Sequence, residues 1–131
     1  MTYGELTIAI KVVQKLSQMN MPVREAYKVY KLSQSLESIR IFCWEQERGM
    51  IERHGGTLGQ DGVIRFINGD SEEDKRIGEA NMNAFVQEID AFHNTLMEDE
   101  IVPITLRLEA LDGQELSPSD IAALNGIVTF E

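Results

Sequence analysis

The chain has 131 residues, 43% of them apolar and 26% charged, with a formal net charge of −10. That composition suits one folded domain with a real core rather than a disordered segment. The longest uncharged apolar run near its start, residues 6–10, is too short for a membrane span or signal peptide, and the single cysteine, Cys43, excludes an internal disulfide framework.

The charge is uneven. Residues 1–54 carry 8 Lys and Arg against 6 Asp and Glu, whereas residues 55–131 carry 4 against 16, nets of +2 and −12. Such an acidic half repels phosphate backbones and argues against ordinary nucleic-acid binding. It serves either as a solvated face or as a surface that docks a basic partner by imitating nucleic acid.

Thr2 and Glu5 form a capping box ahead of Leu6, Ala9, Ile10, Val13 and Leu16, a helical stripe that predicts a first helix within residues 1–21. Asn20-Met21-Pro22 ends it, and Pro22, with no N–H to lose, opens the next helix as its first residue. That second helix runs to residue 53 along a heptad seam of Val29, Leu32, Leu36, Ile39, Cys43 and Met50. Tyr27, Tyr30, Ile41, Phe42 and Trp44 lie off the seam. The stretch 41–44 is apolar nearly all round, so it needs cover on more than one side.

His54-Gly55-Gly56 ends the second helix, and residues 57–67 read as a β-hairpin about the Gly59-Gln60-Asp61-Gly62 turn, broken by Asn68-Gly69. Asp70 with Glu73 predicts a second capping box, with Glu72 and Asp74 adding charge at the positive end of the helix dipole. The third helix is expected to reach about Met97 along Gly78, Met82, Phe85, Ile89, Phe92 and Leu96. Residues 23–53 and 70–97 should then pack antiparallel along their two seams, each helix about 40 Å long.

In the tail, Val102, Ile104, Leu106 and Leu108 alternate with polar residues and Pro103, which predicts an edge strand. Ser117-Pro118-Ser119-Asp120 starts a short helix over 121–125, closed by Gly126 before a last short strand at 127–130. The expected fold is helix-dominated α+β, a single domain over 1–131. A first helix (1–21) precedes a long antiparallel helical hairpin (22–97), with a small β-hairpin (57–67) at its tip and a strand–helix tail (98–131).

Catalytic signatures are missing from the sequence. His54-Gly55-Gly56 has the composition of an oxyanion-hole loop, but no nucleophile elbow accompanies it, and a helix terminator explains it better. Asp90 and His93 share a helix face as in carboxylate-bridged metal sites, yet the pair is not repeated, which favours a surface histidine beside the seam. Cys43 on the seam reads as a core residue, since no neighbour in sequence would activate its thiol. Glu98, Asp99 and Glu100 would stand at the negative end of the third helix dipole. Either that helix stops a turn early, or a cation or basic partner offsets the repulsion; Lys11, Lys15 and Arg24 are the intramolecular candidates. No catalytic, cofactor-binding or metal residues are expected.

The run Lys15-Leu16-Ser17-Gln18-Met19-Asn20-Met21-Pro22-Val23-Arg24-Glu25-Ala26-Tyr27-Lys28 resembles the helix–Pro–helix opening of a family of small bacteriophage proteins of unknown function. The tail is similar as well, in residues 101–108 and in Leu116-Ser117-Pro118-Ser119-Asp120-Ile121. The resemblance implies a phage or prophage origin and no catalytic residues. The expected function is that of a non-enzymatic phage accessory or assembly protein acting by protein–protein interaction. The alternative is an acidic anti-defence or nucleic-acid-mimic inhibitor of a host protein. The expected partner is another protein, phage structural or host, or a second copy in a homodimer, and neither nucleic acid nor a membrane. The expected place is the host cytoplasm or the virion. The candidate interaction residues are Phe42, Trp44, Glu72, Glu73, Asp74, Glu98, Asp99 and Glu100.

Overall fold

A computed structural model describes residues 1–67 and 69–131; Asn68, read from the sequence as part of the break after the hairpin, lies outside the described residues. The fold is helix-dominated α+β. The chain divides into two compact units, Met1–Ile41 together with Thr95–Glu131, and Phe42–Asn94.

The first unit opens with α1 (Tyr3–Ser17), whose capping box is present: the Glu5 N–H donates to Thr2 Oγ1 and the Thr2 N–H to Glu5 Oε1, each at 3.1 Å. The long helix α2 (Val23–Arg53) begins in this unit. The carbonyl of Pro22 accepts the first helical bond, from the Ala26 N–H at 2.9 Å, so Pro22 stands at the N-cap and not at the first helical position. Val29, Leu32, Leu36 and Ile39 of its predicted seam are buried.

The tail adds β3 (Ile104–Leu106), a 3₁₀ turn (Leu108–Leu111), α4 (Pro118–Ala123) and β4 (Val128–Phe130). β3 and β4 pair in parallel, with Ile104 opposite Val128 and Leu106 opposite Phe130. The expected strand over 102–108 is shorter because Pro103 has no N–H for the ladder and Leu108 already begins the 3₁₀ turn. α4 is capped as predicted, with the Asp120 N–H donating to Ser117 Oγ at 3.1 Å and Pro118 in the first turn. Lys15 Nζ bonds Asp120 Oδ2 at 2.8 Å and so ties α1 to α4. Leu6, Leu16, Leu32, Leu106, Leu124 and Ile127 are among the fully buried large side chains of this unit.

In the second unit, α2 ends on Gly55, which takes φ +72°, a left-handed conformation that costs glycine nothing. β1 (Thr57–Leu58) and β2 (Ile64–Arg65) form the predicted antiparallel hairpin, Thr57 opposite Arg65. α3 (Glu72–His93) then runs back along the last part of α2. The antiparallel sense is fixed by three contacts: Phe42 with Phe92, Glu47 with His93, and His54 with Glu88. Met50, Ile51, Phe66 and Phe85 form the buried core, flanked by Ile64, Ile89 and Phe92, and the Phe66 and Phe85 ring centroids lie 5.3 Å apart.

Three expectations about these helices are corrected. The N-cap of α3 is Ser71, whose Oγ accepts from the Asp74 N–H at 3.0 Å; it replaces the expected Asp70–Glu73 box. α3 ends at His93, not Met97, because the backbone beyond it bonds to the chain start: the Tyr3 N–H donates to the Thr95 carbonyl and the Met97 N–H to the Met1 carbonyl. The expected packing of 23–53 along 70–97 is narrower too, since the α2 seam before Phe42 is buried in the first unit.

The seam assignment in the second unit predicts unequal costs at adjacent positions of α3. Phe85→Ala should cost about 3–5 kcal/mol by emptying the core, whereas Val86→Ala should cost under about 1 kcal/mol, since Val86 is 44% exposed. Urea unfolding of the two variants checks this; equal losses would place the seam elsewhere.

Candidate functional site

Phe42 and Trp44 flank Cys43, which is buried. At about 100° per residue, the two aromatics stand on either side of the seam rather than opposite it. The Phe42 ring lies 6.3 Å from Phe92, and the Arg48 guanidinium stands 5.3 Å over the Trp44 ring, one turn along the same helix. Phe42 is 40% and Trp44 49% exposed. The apolarity of 41–44 predicts cover on more than one side, yet Ile41 too is 42% exposed, so only Cys43 of the stretch is buried. A cysteine inward and aromatics at the flanks satisfy one core and leave large apolar surface in water.

Glu72, Glu73 and Asp74 occupy the first turn of α3, exposed, where the helix dipole favours negative charge. The Glu73 carboxylate lies 3.8 Å from Arg76, and the Asp74 backbone takes part in the cap. Glu98, Asp99 and Glu100 follow the end of α3, so the early stop removes them from its dipole. They are exposed and form no ion pair among the described residues. Lys15, one of their expected partners, is bonded to Asp120 instead. The two acidic triplets belong to different units, Glu72, Glu73 and Asp74 to the second and Glu98, Asp99 and Glu100 to the first.

Two histidine–carboxylate pairs join α2 and the residue that follows it to α3 in the second unit. His93 Nε2 lies 2.8 Å from Glu47 Oε1, so His93 meets a carboxylate across the helix interface rather than Asp90 on its own helix. His54 Nε2 lies 2.5 Å from Glu88 Oε2, and Arg53 bonds the other oxygen of the same carboxylate. The His54 and Arg53 donors hold Glu88 below the ordinary 4.5. Burial pushes the Cys43 thiol up from 9.0, and the Glu47 charge adds to it, which leaves a poor nucleophile. Among the described residues, no three His, Cys, Asp or Glu side chains gather in an arrangement able to hold a metal ion. Among them too, no helix is long and apolar enough to cross a membrane.

A buried carboxylate escaped the sequence reading. Glu25 is 1% exposed on the first turn of α2. Its carboxylate accepts from the Arg107 backbone N–H at 3.3 Å and from Arg107 Nε at 3.2 Å, with Lys28 Nζ at 3.5 Å. Burial alone would raise this carboxyl; the Arg107 N–H, the Lys28 charge and the Arg107 guanidinium outweigh it and hold it below 4.5. No periodicity singles out Glu25 from the other acids, and the two histidine pairs depend on contacts between segments distant in sequence. No protein-family model matches the chain, and no curated protein or solved structure matches it either.

Glu25, Glu88 and Asp120 all have folded values held below their ordinary 4.5, 4.5 and 3.8. The unfolded chain therefore binds more protons as pH falls, so their stabilisation is complete above those ordinary values and is lost as pH drops through the folded ones. The thermal midpoint should hold steady from neutral pH down to about 5 and fall below about 4. Glu25→Gln should melt lower than the parent at neutral pH and show a shallower acid slope. Calorimetry across that range checks both; an unchanged slope in Glu25→Gln would assign the acid lability elsewhere.

Proposed function

We propose that this protein is a non-enzymatic phage accessory or assembly protein that acts by binding another protein through the α2 surface carrying Phe42 and Trp44. The carrying observation is the exposure of two large aromatics beside a buried seam residue. Aromatic residues and arginine are the types enriched where proteins meet, and Arg48 already lies against Trp44. The resemblance of the opening and tail to small bacteriophage proteins supports the phage origin and, with it, a place in the host cytoplasm or the virion. A second copy of the chain is the nearest partner in this reading, through the same surface in an isologous dimer.

A second reading rests on the charge of residues 55–131 and on Glu98, Asp99 and Glu100, exposed and without an ion pair among the described residues. In it the protein is an acidic inhibitor of a host protein, with carboxylates standing in for phosphates.

The two readings part on what touches position 44. A photo-crosslinking phenylalanine analogue at Trp44, carried in infected host cells, should capture a phage structural protein or a second copy of the chain. In sedimentation the parent should exceed 14.8 kDa and Trp44→Glu should return to it. A monomeric parent with no cross-link from position 44 refutes the first reading. Capture of a host nucleic-acid enzyme, with association that slows steeply in salt and on replacing Glu98, Asp99 and Glu100 by Gln-Asn-Gln, establishes the second.

A further inference from the structure

Beside the core of the second unit, a cleft of about 600 Å³ opens between α3 and residues 64–67. Its volume falls in the range of small-molecule sites. Ile64, Phe66, Ile67 and Met82 give it apolar walls, and Lys75, Gly78 and Glu79 line it from α3. Gly78 sets the depth: a Cβ there would meet the Phe66 carbonyl oxygen and Ile67 Cγ1 at 2.8 Å, so the chain rests directly on the helix backbone. Lys75, Gly78, Glu79 and Met82 follow one another at helical spacing, so a single face of α3 carries both the charged and the apolar parts of the lining.

The charges restrict the occupant. Arg65, the other cation of the lining, is committed to Asp61, with Nη2 2.8 Å from Oδ2 and Nη1 3.3 Å from Oδ1. Lys75 makes no ion pair among the described residues and is the free cation at the apolar walls. Glu79 stands one turn along the same face, about 6 Å further on, and opposes a second negative charge. The net charge of −10 works against any polyanion. We infer that this cleft binds a single-chain amphipathic monoanion, a free fatty carboxylate, with its head on Lys75 and its chain against Ile64, Ile67 and Met82. This site goes beyond the protein–protein reading and uses none of its residues.

Decanoate below its micelle concentration is the probe, followed by amide chemical shifts and calorimetry on the full chain. Saturable one-site binding is expected, with shifts concentrated at residues 64–67 and 75–82. Lys75→Glu should weaken decanoate at least about 10-fold while leaving binding of 1-decanol unchanged, since the lost contact is to the charged head alone. Met82→Glu should weaken both ligands. Lys75 is exposed and Met82 is 44% exposed, so both variants keep the fold, which their circular dichroism verifies. Absence of saturable binding, shifts centred elsewhere, or equal affinity of parent and Lys75→Glu for decanoate overturns the assignment.

Discussion

Glu25 carries the buried charge of the first unit, and its partners explain how a two-stranded parallel sheet persists there. Parallel pairing is normally found under cover, with neighbouring strands or helices satisfying its edges. Among the described residues β3 has β4 on one side only. On its other side the Arg107 N–H donates to Glu25 Oε2, and Lys28 Nζ donates to the Thr105 carbonyl at 2.9 Å. Two side chains on the first turns of α2 thus supply one acceptor and one donor where a third strand would. A carboxylate so enclosed is tolerated because its lone pairs are filled by Arg107 and Lys28. Docking α2 on β3 and stopping β3 from pairing elsewhere are one interaction.

The second unit is organised by a different constraint, the need to bring a chain segment against a helix. The absent side chain at Gly78 lets residues 66 and 67 reach the α3 backbone, and Phe66 enters the core between Ile51 and Phe85. Along the α2–α3 interface, Glu47, Glu88 and both histidines form a polar border to that core. These carboxylates do structural service, as Glu25, Asp120 and Glu5 do in the first unit. Most of the remainder is exposed.

Local chemistry was legible in the sequence wherever a few adjacent residues decide it. The Thr2–Glu5 and Ser117–Asp120 boxes, the helix stop at Gly55 and the Gly59–Gly62 turn all follow from short-range hydrogen bonds and backbone preferences. The buried seam of α2 followed from periodicity, and each of its six residues is buried. Periodicity does not say what a seam packs against. Val29, Leu32 and Leu36 continue the same heptads as Cys43 and Met50, yet they fall in a different unit. The overlong third helix failed for a related reason: Leu96 fits the seam but is 68% exposed, because residues 95–97 find backbone partners near Met1, some 95 positions away in sequence. Of the candidate site, the exposed aromatics were visible as off-seam residues. Glu25 and the histidine–carboxylate pairs were not, since they depend on contacts between distant segments.

The division of the chain has a consequence for the order in which the protein is made. The second unit is one continuous stretch, Phe42–Asn94, and every group of its core has been synthesised once α3 is complete. The first unit is discontinuous: α1 and the start of α2 wait for β3, which contributes Leu106 and the partners of Glu25, and for the Leu124 and Ile127 that follow. Domains fold as units during translation, N-terminal parts generally first. Here the interior segment holds its whole core within residues 42–94 and can close as a unit, whereas the first unit must bring together two segments that this stretch separates.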